Sequence, residues 1–322
     1  MAPRNPTGGR RRAGLLLALS LWTSGAAVAA EAIVTAQGDD RIDVVDLDSG
    51  KVLAEIPVAG SPAGIALSPD RRTAYVTRPD GPGLAVIDLD QRKVTSLPDL
   101  PGGPLGIGVN PRTGAVYAAD WYAKRVFVLV PRDDRLARDG EIATGASPSG
   151  IAVTPDGRTL LVANREGNSV SVIDAETRRQ TTLIPVGEHP FGLTLDPDGR
   201  RAYTANVVSN DVSVIDLAEG REIARIPAGE RPYVVALAGG RGFVTNQYAG
   251  TVSVFDRTTL KALATIDVGD HPEGIAASRD GSRLYVANWG SNTLSVIDAA
   301  TLKVLREIKV GDGPRAFGDF LR

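Results

Sequence analysis

The chain contains no cysteine. That absence excludes disulfides, a thiolate nucleophile, iron–sulfur clusters, covalently attached c-type haem and a lipid-anchored cysteine. Its single methionine is Met1, so a chain that loses its start also lacks thioether ligands for haem iron or soft copper. Histidine occurs only as His189 and His271, which leaves two candidates for any imidazole chemistry. An excess of positive charge is missing as well. The 36 basic residues face 38 acidic ones, so no overall basic field exists to hold a nucleic-acid backbone. No Gly-x-x-x-x-Gly-Lys-Ser/Thr phosphate loop, His-Glu-x-x-His zinc helix or Gly-x-Ser-x-Gly elbow occurs. No catalytic residue is assigned and no cofactor is expected, so a non-enzymatic protein is favoured. What is present is a 322-residue chain with 43% hydrophobic and 23% charged residues, an ordinary composition for a globular protein.

Residues 1–30 have the form of a secretory signal peptide: Arg4 and Arg10 to Arg12 precede the apolar run Leu15–Trp22, and Ala27-Val28-Ala29-Ala30 offers small residues for cleavage. The run falls well short of the roughly 20 residues that span a bilayer, so no membrane span is expected after cleavage. Sec export is favoured over twin-arginine export, because little of the twin-arginine motif surrounds the arginine pairs. The mature chain of 31–322 is then expected in the periplasm with 32 basic against 38 acidic residues, since the leader carries four arginines and no acid. A fold that works in an oxidising compartment without disulfides needs a well-closed core.

A repeat supplies that closure. Leu161-Val162-Ala163-Asn164, Tyr203-Thr204-Ala205-Asn206, Phe243-Val244-Thr245-Asn246 and Tyr285-Val286-Ala287-Asn288 are strong copies, followed ten residues later by Asp174, Asp216, Asp256 and Asp298. Weaker copies end at Ala36, Arg78 and Asp120, and the seven end positions are spaced by 42, 42, 44, 42, 40 and 42 residues. Turn residues cut each unit into four short, nearly continuously apolar strands, the pattern of a propeller blade. The first unit lacks an inner strand before Ile33, while 315–322 follows Pro314 as inner strands follow Pro62, Pro104, Pro148, Pro190, Pro232 and Pro272. The sequence therefore predicts an all-β, seven-bladed β-propeller over 31–322. Its blades end near 62, 104, 148, 190, 232, 272 and 314, and 315–322 completes blade 1, closing the ring and pairing open edges. A monomer is expected. The recurrent aspartates, in the Pro-Asp-Gly turns and at third-strand ends, are read as turn formers rather than calcium ligands.

The Tyr-Val-Ala-Asn segment, the Ser-Val-Ile-Asp strand, the Pro-Asp-Gly turn and the Val-Gly-x-x-Pro corner together resemble the YVTN-repeat, YncE-like bacterial periplasmic propellers. The resemblance implies a periplasmic or cell-surface binding or scaffold protein. Related seven-bladed propellers include lactonases and accessories of quinoprotein redox systems, so two further roles come with it. A metal-dependent lactonase-like hydrolase would draw a divalent metal's ligands from Glu188, His189, Asp270, His271 and Glu273. A quinoprotein accessory could be only a partner or carrier, since the chain lacks haem-ligating cysteine and mature methionine. Single-stranded nucleic acid, suggested by the same resemblance through a patch of Trp121, Lys124, Arg125 and Arg165, is disfavoured by the net negative charge.

Structural residues of a repeat recur, so functional ones should break it. The two residues before each corner proline are Gly60-Ser61, Gly102-Gly103 and Ala146-Ser147 in the first three corners. They become Glu188-His189, Glu230-Arg231, Asp270-His271 and Asp312-Gly313 in the last four. Strand alternation places these corners on the same face as the loops carrying Trp121-Tyr122, Tyr248 and Trp289. The candidate ligand site is thus one channel mouth bearing Arg231, His189, His271, Trp121, Trp289, Tyr248, Glu188 and Asp270. Arg231, flanked by the two histidines, would hold an anionic group of a small ligand or a periplasmic partner, with Tyr248 and Trp289 as contact surface.

Overall fold

The computed structural model describes residues 1–2, 30–133 and 135–322. The signal peptide expected over 1–30 lies, from residue 3 to residue 29, outside the described residues. From Glu31 onward the strands form one three-stranded, five four-stranded and one five-stranded antiparallel-based sheet, arranged as seven blades. Blade 4 is representative, with Pro148–Val153, Thr159–Asn164, Ser169–Asp174 and Arg179–Pro185 running outward from the channel. Its second strand is buried from Leu160 to Asn164, whereas Ile184 alone is buried in the outermost strand. The difference follows from geometry: inner strands are sandwiched between neighbouring blades, while the outer strand has a covered face only where it meets the next blade's periphery. Each buried Val, Ile or Leu contributes about 1.5–3 kcal/mol, which explains the near-continuous apolar runs.

The irregular spacings have local causes. The interval of 44 contains blade 3's long outer hairpin, Arg125–Arg132 with Arg135–Ala143, which carries a bulge between Val128 and Leu129. The interval of 40 contains a two-residue turn in blade 6, where Gly239 and Gly240 take φ of 53° and 81°. Two successive positive φ values are what a tight primed hairpin turn requires, and glycine supplies them without a Cβ clash.

Ring closure follows the expected plan. Blade 1 contributes only Glu31–Ala36, Arg41–Asp46 and Lys51–Pro57 of its own. The C-terminal segment lies antiparallel to the first of these, with bridges Ala36 to Pro314 and Ala32 to Leu321. Ile33 N donates to Phe320 O at 2.8 Å, and Arg322 N to Glu31 O at 2.8 Å. The segment also leans on blade 2, where Phe317–Gly318 pairs in parallel with Gly64–Leu67. No helix among the described residues is long and apolar enough to cross a membrane.

The repeated aspartates act on turns. Asp174 Oδ1 accepts from Thr177 N at 2.7 Å, and Asp256 and Asp298 repeat the bond with Thr259 and Thr301. Asp280, in the Pro-Asp-Gly class of turn, accepts from the Ser278 hydroxyl and from Ser282, which holds its carboxyl at about 2. The repeated asparagines are joints: Asn164 Oδ1 accepts from the corner amide of Gly145 at 2.9 Å while Nδ2 donates to Ser171 Oγ at 2.9 Å.

Candidate functional site

One face of the ring is built by two kinds of loop that bond to each other. Outside blade 2, the residue after the second strand donates its N–H to the carbonyl before a corner proline: Trp289 to His271 at 2.9 Å, Gln247 to Arg231 at 2.8 Å, Val207 to His189 at 3.0 Å and Trp121 to Gly103 at 3.0 Å. These bonds place the charged corners beside the aromatic loops, as the strand alternation predicts. The corner residues are further pinned by the preceding blade, since Asn168 Oδ1 accepts from His189 N and Asn210 Oδ1 from Arg231 N, each at 2.9 Å. His189, Arg231 and His271 adopt φ of 56°, 56° and 50°. A non-glycine residue in this left-handed region is strained by about 1 kcal/mol, and Gly313 occupies the equivalent position at 61°.

Four of the predicted residues meet in one arc. The Arg231 guanidinium lies over the Tyr248 ring at 4.9 Å. Tyr248 meets His271 edge-on at 5.7 Å, and His271 meets Trp289 edge-on at 6.0 Å. Tyr248 and Trp289 remain 56% and 42% exposed, so a surface of ring edges and faces is left to solvent. Arg231 forms no ion pair with a carboxylate among the described residues. Stacking on an aromatic face leaves the in-plane N–H donors of a guanidinium available.

The remaining candidates lie elsewhere. His189 sits with Glu166, Nε2 to Oε2 at 3.5 Å, and Glu166 also pairs with Arg165. Arg165 in turn lies 5.5 Å from the Trp121 ring, which packs edge-on against Phe191 at 6.1 Å. Glu188 and Asp270 are exposed and enter the turns through their backbone N–H groups, which donate to Ser209 and Ser291. The metal set expected for a hydrolase therefore does not assemble: His189 is paired with Glu166 and His271 is wedged between two rings. Among the described residues no group of three His, Cys, Asp or Glu side chains converges. Glu273, the fifth option, is consumed by Arg315 and Gln247 at 2.5 and 2.7 Å.

That last contact belongs to a plug the sequence reading missed. Behind the mouth, Phe191 stacks on Tyr233 at 4.0 Å and touches Phe317 at 4.8 Å. Arg315 bridges Glu273 and the Tyr233 hydroxyl, the latter at 2.7 Å. Burial pushes the Tyr233 phenol well above its ordinary range. Burial would by itself lower Arg315, yet Glu273 and Tyr233 hold it above the usual arginine value. The sequence carries a signal for the plug one residue beyond the corner pairs. After the prolines stand Ala63, Leu105, Ser149, Phe191, Tyr233, Glu273 and Arg315, a position that changes in every blade because it points at the ring axis. Below the plug the channel opens to the opposite face as a cavity of about 660 Å³, walled by side chains such as Ile107, Ile151, Leu193, Val235 and Ile275, with Arg71 and Asp319 at its rim.

Comparison with known proteins agrees with this architecture. The family model described as YNCE-like beta-propeller matches residues 234–319, and that described as lactonase, 7-bladed beta-propeller matches residues 132–235. No curated protein matches the chain. Among solved structures, a putative 6-phosphogluconolactonase from Bacteroides fragilis superposes with a TM-score of 0.75 at 18% identity, covering 92% of this chain and 98% of that one. Hydrazine synthase of Kuenenia stuttgartiensis gives 0.73 at 22% identity over 82% and 91% of the two chains. A functionally unknown protein from Desulfotomaculum acetoxidans gives 0.75 at 17% identity over 89% and 99%. Identities of this size carry the fold and no activity.

Proposed function

From the premise that the chain is a seven-bladed β-propeller with YncE-like blades, we propose that it is an exported, non-catalytic binding protein of the periplasm that takes a small anionic ligand at the mouth ringed by its charged corners. The observation that supports this is the arc itself: a guanidinium without a carboxylate partner stands at the head of three edge-to-face rings, two of them substantially exposed. Such an arrangement offers in-plane donors to a carboxylate or phosphate and an apolar wall to the rest of the molecule. The test is a panel of small carboxylated and phosphorylated molecules, read by thermal shift and by tryptophan emission, since Trp289 belongs to the arc. A ligand found this way is expected to lose at least about tenfold in affinity for R231A, the value of one charge-assisted contact. Unchanged affinity for every ligand in the panel would overturn the assignment.

The lactonase match over residues 132–235 favours a second reading, a lactonase-like hydrolase. It requires a ligand set other than Glu188, His189, Asp270, His271 and Glu273. Lactone hydrolysis that depends on added divalent metal and survives R231A would favour it over the binding protein.

A further inference from the structure

Blade 2 departs from its siblings at one buried position. In blades 4 to 7 the second strand ends in Asn164, Asn206, Asn246 or Asn288, and the third strand carries Ser171, Ser213, Ser253 or Ser295 seven residues later. In blades 4 to 6 these side chains form a joint that accepts the N–H three residues before the corner proline: Gly145 N reaches Asn164, Gly187 N reaches Ser213 and Gly229 N reaches Asn246. Blade 1, where Ala36 replaces the asparagine, keeps the joint by placing Asp43 at the serine position to accept from Gly311 N. In blade 2 both partners are lost, because Arg78 stands for the asparagine and Ala85 for the serine. Neither accepts a hydrogen bond. The corresponding N–H, that of the exposed Ala59, has no protein acceptor among the described residues and is left to solvent.

Into this gap the chain has put a cation. Arg78 is only 5% exposed, its Nε is buried without a hydrogen-bond partner, and its guanidinium makes no ion pair among the described residues. Asp40, the acid that acts on Arg78, is occupied by Gly60 N and Ser61 N at 3.0 and 2.8 Å. Burial drives Arg78 below the ordinary arginine range, and Asp40 offsets this only in part. Two glycines pack over the group: Gly81 lies so close that a Cβ there would stand 2.9 Å from Nη2, and a Cβ on Gly60 would meet Gly81 at 2.8 Å. A buried charge without an ion-pair partner is costly, by up to several kcal/mol when fully desolvated, and the unmade Arg78 Nε donor adds about 1–3 kcal/mol. Both costs fall if one negatively charged acceptor bonds the guanidinium.

We propose that blade 2 binds a small anion of halide or carboxylate size against the Arg78 guanidinium. The site lies in the neutral arc of corners and makes no use of Arg231, so it stands or falls independently of the rim ligand. With Gly60 and Gly81 packed this closely, a small ion suits the place better than phosphate or sulfate.

Crystals of the protein soaked in sodium bromide test this directly. An anomalous bromide peak within hydrogen-bonding distance of Arg78 Nε or a terminal guanidinium nitrogen is expected. Ordered water alone at that position would overturn the proposal. In solution, chloride, bromide and acetate should raise the unfolding midpoint of the parent protein more than sulfate does at matched ionic strength. R78N with A85S, which rebuilds the joint of the other blades, should lose that preference while remaining folded. An identical anion response in parent and variant would also refute it. Stabilisation by acetate without halide would identify the occupant as a carboxylate group, and the reverse would identify a free halide.

Discussion

At the scale of single residues, the corner before each inner-strand proline separates stability from binding. His189, Arg231 and His271 hold left-handed backbone where Gly313 sits in the last corner. R231G and H271G are therefore expected to leave the unfolding free energy unchanged or raised by up to about 1 kcal/mol, because glycine enters this region without the Cβ penalty. Denaturant titration checks the stability, and the ligand panel checks the accompanying loss of binding. A loss of stability above that size would mean that the Arg231–Tyr248 stack, rather than a ligand, accounts for the side chain. The candidate residues were legible because they break the repeat at its exposed corners. The edge-to-face order of Tyr248, His271 and Trp289 was not, since it depends on how far apart two blades stand at the rim.

Elements carry the next set of effects. The inner strands of blades 6 and 7 and the closing segment are tied together by Tyr233, Glu273 and Arg315, with Glu273 3% exposed. R315M strands the Glu273 carboxylate in the channel and is expected to cost about 3–5 kcal/mol, the usual result of removing one member of a buried pair. The double variant E273L with R315M should recover much of that loss, and equilibrium unfolding of the three variants measures the coupling. An R315M variant as stable as the parent would show that the plug is a solvated ornament of the channel. The same residues explain why composition was a poor guide here: in a single strand Glu273 and Arg315 look like surface charges, and they become a pair only when strand one of blade 7 meets the last strand of the chain.

For the whole molecule the decisive feature is closure. The terminal segment buries Phe317 and Phe320, bonds along Glu31–Ala36, and is gripped by Arg71, which donates to Asp319 and to the Leu321 carbonyl at 2.7 Å each. Ending the chain at Pro314 reopens blade 1 and exposes both phenylalanines, so the unfolding midpoint should fall by about 10 °C or more; an unchanged midpoint would show that the ring does not need its latch. Acid should act on the ring as a whole. Asp46, Asp156, Asp174, Asp256, Asp280 and Asp298 are all held below the usual carboxylate range, chiefly by hydrogen bonds from turn hydroxyls and N–H groups. A carboxyl depressed in the folded state stabilises above its unfolded value and loses that contribution as pH falls toward its folded one. The midpoint is therefore expected to be flat near neutrality and to drop between about pH 4 and pH 2. D280N should flatten part of that drop.

The blade count, the strand order within a blade, the turn role of the aspartates and the completion of blade 1 by the C-terminus were determined by sequence alone, because each rests on local periodicity and on a repeat long enough to count. The polar joint at Asn164, the plug across the axis, the separation of His189 from His271 and the unpartnered Arg78 were decided only by the tertiary structure. They arise where different blades meet, at distances set by the curvature of a ring of seven, and no period along the chain records which residues face each other across its centre.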